Sequence, residues 1–242
     1  MTAVHADGPE LRAKVATACR VLAARGLVDG VLGHVSARVG EGELVVRCRG
    51  PRERGLARSG SGDVWRLDFE GRPVDLAEGY AAPNELPIHA EPMRARPQVG
   101  AVVHAHPRAA LLAGLAGLAP RPVFGAYDIP ALRLALEGVP VFDSPALIDS
   151  REAALELLGA MGERPVCLLR GHGILAAATS IEEATVLAVN LETLLAVTVD
   201  LARLGAAPRE LSEAELAALP DLGAAFNAGL AWRALAAEAG GA

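Results

Sequence analysis

The chain has 242 residues, 52% of them apolar and 3% aromatic, with a formal net charge of −6. That length and apolar content suffice for one domain with a sizeable core, and the acidic balance argues against a general nucleic-acid binder, which needs a strongly basic face. Cys19, Cys48 and Cys167 lie far apart with no CxxC spacing, so the sequence predicts reduced thiols in the cytoplasm and neither a disulfide framework nor a zinc knuckle.

Residues 1–9 lack a basic segment followed by an apolar one, so no signal peptide is expected. The alanine- and leucine-rich stretches carry charges or glycines well inside the length that spans a bilayer, which predicts no membrane partner. Glu10 to Arg25 has helical spacing and stops at Gly26. A glycine-punctuated stretch, Gly30 to Val39, precedes a strand at Leu44-Val45-Val46 and an arginine-rich loop from Arg47 to Arg58. Asp63 to Phe69 with the turn Glu70-Gly71-Arg72-Pro73 predicts a hairpin. Asn84 is placed to cap a helix over Glu85 to Arg96, kinked or broken at Pro92. Val99 to His106 reads as a buried strand, and Pro107 starts a helix over Arg108 to Leu118. A strand is expected between that helix and Tyr127.

Val139 to Phe142 is a short strand, Ser150 to Met161 a helix, and Pro165 to Arg170 a strand that Ile174 to Ala177 continues. Ser180-Ile181-Glu182-Glu183 is a capping box opening a helix to about Leu204. A last helical stretch covers Ser212 to Glu238, with Trp232 in a packing role. No repeat or long linker divides the chain. The expectation is one α/β domain over residues 1–242, its core at about 10–205 and a helical extension at 206–242, with a central sheet and helices on both faces.

His104-Ala105-His106 carries the chemistry. Two histidines at i and i+2 on a strand share a face, so one metal ion can meet both. A third imidazole would give a divalent metal three protein ligands and an open position, as in catalytic sites. His172, between Gly171 and Gly173 just after another buried strand, is the candidate, and Glu85 lies nineteen residues before His104.

Three blocks extend this pattern: Gly33-His34-Val35-Ser36-Ala37-Arg38, then Asn84-Glu85 through His89 to His104-Ala105-His106-Pro107, then Gly171-His172-Gly173-Ile174 with the capping box after it. In that order, over roughly residues 10–205, they resemble the class II aldolase/adducin family. The resemblance implies a mixed, mostly antiparallel sheet flanked by helices, and a homotetramer with sites near subunit interfaces. It implies His104, His106 and His172 as ligands of one divalent metal ion per subunit. Zinc suits three imidazoles best, and manganese, iron and cobalt are compatible with them. Glu85 matches the acid/base beside the metal, and Tyr127 and Asp128 stand where a second acid/base is found in family members. His34, Ser36, Asn84 and His89 fall in the substrate pocket by the same resemblance, His89 being one helical turn from Glu85.

The chain departs from the sugar-phosphate members of that family. His34 replaces the usual asparagine, Ala82-Pro83-Asn84 lacks the paired serines, and Arg47 to Gly55 replaces a Thr/Ser-Gly turn. Arg47, Arg49, Arg52, Arg54 and Arg58 fall within twelve residues of an otherwise acidic chain. Guanidinium forks bind carboxylates through two parallel hydrogen bonds, which points to Arg49 or Arg52 capturing a carboxylate. The run Arg49 to Leu56 and the segment Pro83 to His89 are similar to a subset of the family that decarboxylates dihydroxylated phthalates. The expected activity is a metal-dependent decarboxylase of a small anionic aromatic acid. An aldolase or epimerase on a non-phosphorylated hydroxy-carbonyl substrate is the alternative.

Overall fold

The computed structural model describes residues 5–223 and 226–240. Helix α1 (Pro9–Ala24) has proline in its first turn, where the missing N–H would be unpaired anyway. Strands β1 (His34–Arg38), β2 (Glu43–Arg47) and β3 (Val64–Asp68) follow. Helix α2 (Pro87–Ala95) leads into β4 (Ala101–Ala105) and α3 (Arg108–Ala116). Next come α4 (Ile129–Glu137), the two-residue β5 (Val141–Phe142), α5 (Arg151–Met161), β6 (Val166–Leu169) and β7 (Gly173–Ala178). The long α6 (Ile181–Arg203), α7 (Glu213–Ala217), a π-helical stretch (Phe226–Ala231) and α8 (Trp232–Glu238) complete the described chain.

The strands form one seven-stranded sheet in the order β3-β2-β1-β4-β7-β6-β5. Only β5 and β6 run parallel; the other neighbours are antiparallel, as expected for this mixed sheet. Alternation along the strands divides the core in two. Val103 and Ala105 of β4, with Ile174 and Ala176 of β7, pack against α1, α3, α4 and α6. Val102, Leu175 and Ala177 point the other way, towards Ile88 and Met93 of α2 and Leu157 of α5. Each fully buried valine, leucine, isoleucine or methionine among them contributes about 1.5–3 kcal/mol. By the same alternation His104 belongs to the face that α2 and α5 cover.

Several elements differ from the sequence reading. The glycine-punctuated stretch contains β1, a central strand whose polar His34 and Ser36 alternate with buried Val35 and Ala37. Its polar face looked like a loop because it packs on polar groups, not on apolar ones. The residues after β6 do not extend it: Gly171, at φ 72°, reverses the chain, and β6 and β7 pair as an antiparallel hairpin. Where a strand was expected before Tyr127, the chain is irregular and leads into α4, whose N-cap Asp128 accepts from Ala131 N–H at 3.0 Å.

The predicted hairpin after β3 reduces to a single bridge between Leu67 and Pro73, because β3 pairs with β2 instead. Helix α2 starts at Pro87 with no side-chain cap, so Asn84 and Glu85 lie in the turn before it. It runs unbroken through Pro92, its sixth residue, which leaves Ile88 O without the usual i+4 donor. Buried Arg38 ties down the far end, donating from Nε to Val99 O (3.0 Å) and from Nη2 to Met93 O. The expected last helix is interrupted around Pro220, which cannot donate the bond that would continue α7; residues 224 and 225 lie outside the described residues. Trp232 packs against the core as expected. Helix α6 is, contrary to the sequence reading, long and apolar enough to cross a membrane by composition, and 56% of that apolar window is buried inside the fold.

Candidate active site

Sheet order brings the histidines together. Antiparallel pairing sets His34 of β1 opposite His104 of β4, and His104 opposite Leu175 of β7. His106 lies just past the end of β4, and its N–H is held by Leu27 O at 3.1 Å. His172 sits in the β6–β7 turn, where its N–H donates to Leu169 O at 3.1 Å. The turn needs Gly173 for space, because a Cβ there would lie 2.2 Å from Ala105 O and 2.9 Å from His106 Cδ2. Glu85 enters from the turn before α2, and Ile148 N–H donates to its Oε1 at 2.9 Å.

One ligand atom from each of Glu85, His104, His106 and His172 lies within 4.8 Å of every other. A backbone carbonyl only accepts, so the 2.9 Å contact of His104 Nδ1 with Ile174 O places the ring proton on Nδ1. With the ring proton on Nδ1, the uncharged tautomer of His104 has its lone pair at Nε2. That atom is 2.8 Å from His106 Nε2 and 3.4 Å from Glu85 Oε2, while His172 Nε2 is 3.5 Å from Glu85 Oε1. These atoms converge on one point, where the N–H of a neighbouring ring or a bound cation meets the lone pair of His104. Three imidazoles with their second nitrogens turned outward and a carboxylate at hand fit a divalent metal with an open position.

The electrostatics agree. Burial, reinforced by repulsion from neighbouring His104 and His172, pushes the His106 pKa down to about 3. Burial with the nearby His104 lowers His89 to about 3, and burial with repulsion from His89 and His104 takes His34 well below its ordinary value. These rings are uncharged at neutral pH, the form in which imidazole binds metal. Burial works to raise the Glu85 pKa, but the ring nitrogens of His104 and His172 and the N–H of Ile148 outweigh it and hold the carboxyl below the ordinary range. Hydrogen bonds to the carboxylate thus keep Glu85 ionised.

A cavity of about 130 Å³ opens beside the cluster, walled by His34, Arg47, Arg49, Asn84, Glu85 and His106 among others. Of the expected substrate contacts, His34, Arg49 and Asn84 line it. Ser36 and His89 are fully buried behind His34 instead, in a hydrogen-bonded column: His89 Nε2 is 2.9 Å from His34 Nδ1, and His89 Nδ1 is 2.7 Å from Ser36 Oγ. Arg52 lines a neighbouring cavity, and Arg47, on β2, takes its place on the wall. Tyr127 is 74% exposed and Asp128 is occupied as the α4 cap; neither lines this cavity within the subunit. The i, i+2 relation of Arg47 to Arg49 was the available signal for Arg47, since both then share a strand face.

Residues 13–199 match the model of the class II aldolase and adducin N-terminal domain. The chain belongs to that family. Family relatives include a 3,4-dihydroxyphthalate decarboxylase of Arthrobacter keyseri, 51% identical and covering 92% of this chain and 91% of that protein. A protein of the same name from Terrabacter sp. is also 51% identical, over 92% of this chain and 94% of its own. Among solved structures, an aldolase II superfamily protein from Pseudomonas syringae superposes with a TM-score of 0.77 at 21% identity, covering 95% of this chain and 92% of its own, and shares the fold.

Proposed function

We propose that the chain is a divalent-metal-dependent decarboxylase of a hydroxylated aromatic dicarboxylate such as a dihydroxyphthalate. The observation that carries this reading is 51% identity over 92% of the chain to relatives named 3,4-dihydroxyphthalate decarboxylase. The site supports it: a cavity lined by histidines, a glutamate and the guanidinium groups of Arg47 and Arg49 suits an anionic substrate better than a neutral one. The absence of serines before Glu85 argues against a phosphorylated sugar.

His104, His106 and His172 would hold the metal, zinc by preference. When bound there, a divalent ion supplies Lewis-acid stabilisation of negative charge developing on a substrate oxygen. The protein's own part is the proton. Glu85, ionised and fixed by Ile148 N–H, accepts the proton of a ring hydroxyl and returns it to the carbon that carries the leaving carboxylate. The carbon–carboxylate bond breaks as carbon dioxide departs, and the charge of the carboxylate ends on the phenolate. His34, held by His89 and Ser36, orients the ring from the cavity wall.

The chain is further proposed to act as a homotetramer in the cytoplasm. Three free cysteines far apart in the sequence are in keeping with a reducing compartment, and exposed Tyr127 is available to reach a neighbouring subunit's site as its second acid/base. Metal analysis followed by carbon dioxide release over a panel of dihydroxylated phthalates and benzoates tests the reading. Product aldehyde without carbon dioxide would replace it with the aldolase alternative. Glu85→Gln should retain metal and lower kcat by about 10²- to 10⁴-fold; a variant with undiminished kcat would remove Glu85 from the proton path.

A further inference from the structure

Strand β2 ends in Arg47, and the loop after it encloses a second cavity of about 370 Å³ beside the metal cavity. Arg47 lies on the wall of both. Its side chain is 5% exposed, unlike Arg49, Arg52, Arg54 and Arg58, which water reaches. Arg47 Nη2 pairs with Glu53 Oε1, and the same oxygen accepts from Gly55 N–H at 2.7 Å, so the loop itself fixes the carboxylate that fixes the guanidinium. Arg47 Nε remains buried with no hydrogen-bond partner among the described residues, as does Glu53 Oε2. Nε faces the protein interior, so the part of the guanidinium that lines the cavities is its outer end, and a carboxylate is the group that matches such a fork.

We infer that Arg47, held in place by Glu53, is the specificity-determining contact for the second ring carboxylate, the one next to the carboxylate that leaves. This rests on the aromatic dicarboxylate reading above. Arg47 and Arg49 stand at i and i+2 and both line the metal cavity, where their two positive charges balance Glu53 and Glu85, and a bound divalent ion would leave the site net positive for a second carboxylate. Because Arg47 is screened from water and Arg49 is not, Arg47 discriminates a dianion from a monoanion more strongly. Glu53 is a positioning residue. It touches no substrate atom and acts by holding the fork in one orientation.

The test uses the metal-loaded protein and two non-reacting probes, phthalate with two carboxylates and benzoate with one, titrated calorimetrically. Wild type should bind phthalate more tightly than benzoate. Arg47→Gln should weaken phthalate about 10- to 100-fold while leaving benzoate within about 2-fold, collapsing the ratio. Arg47→Lys keeps the charge and loses the fork, and should lose most of the same ratio; it decides the matter if Arg47→Gln fails to fold. Glu53→Gln should raise KM for the dianionic substrate with little change in kcat, a split that mere loosening of the fold would not produce. Folded, metal-loaded Arg47 variants that keep the wild-type ratio overturn the inference. If no dihydroxyphthalate is decarboxylated yet the ratio collapses in these variants, the reaction falls and the carboxylate contact stands.

Discussion

His106 and Arg49 line one cavity but are built in different ways. The histidine follows a central strand, with its backbone tied to Leu27 and its ring against His104, in a region where a single added methyl group at Gly173 has no room. The arginine projects from the loop after β2, exposed, and among the described residues its hydrogen bonds are the backbone pair with Ala81. Groups that hold and move charge during a reaction need fixed positions, and strand ends provide them. Groups that choose the substrate sit on loops that vary without disturbing the sheet. One family can therefore keep its metal cluster while changing what it acts on.

If that division is right, the two walls respond differently to substitution. His104→Ala removes a ligand and the pairing to Ile174, and bound metal and turnover should fall together by more than about 100-fold, the upper range for disturbing groups that merely orient ligands. Elemental analysis beside the carbon dioxide assay reads this; metal-free protein with full turnover would sink the mechanism. Gly173→Ala pushes a methyl group into Ala105 O and His106, and should weaken metal affinity about 10- to 100-fold in competition with a chromogenic chelator. Unchanged affinity would mean that the turn yields more easily than the packing implies.

On the other wall, Arg49→Ala should raise KM for the anionic substrate about 10-fold with kcat nearly unchanged. An equal loss in kcat would move Arg49 from recognition into the chemical step. The smallest effect belongs to Glu192 of α6, which lines neither of the two cavities and serves as a control. Burial raises its pKa to about 7 against the opposing N–H groups of Ala109 and Ala110, from an ordinary value of 4.5. The folded protein thus keeps a proton that the unfolded chain releases, and stability declines as pH rises from 4.5 to about 7, then levels. With part of the side chain open to water, Glu192→Gln should regain about 1 kcal/mol at pH 8 and nothing below pH 4.5. Melting curves at the two pH values check it, and metal binding should not move.

Much of the fold was legible because its signals are local. Ser150 and Ser180 accept from the third residue of their helices, as their positions before apolar runs imply. Proline before α3 and glycine after α1 mark the ends that backbone chemistry predicts. The His-x-His pair and its apolar strand were equally clear. What escaped depended on partners distant in sequence. Strand β1 looks polar because His34 and Ser36 meet His89, and Asp128 looked chemical because its role as a cap is visible only once α4 is in place.

The residue types and spacings of this chain pointed to the family and, through the resemblance of its three blocks, to the histidine and glutamate cluster, because motifs read in order along the chain need no tertiary contact to be recognised. Which arginine reaches the cavity, and which polar groups stand behind it, was decided only by tertiary structure. Register between β1, β4 and β7 sets His34 against His104, and the loop closed by Glu53 turns Arg47 inward while Arg52 faces the next cavity. Neighbouring residues along a loop have no fixed relation to a site until its ends and its ion pairs are in place.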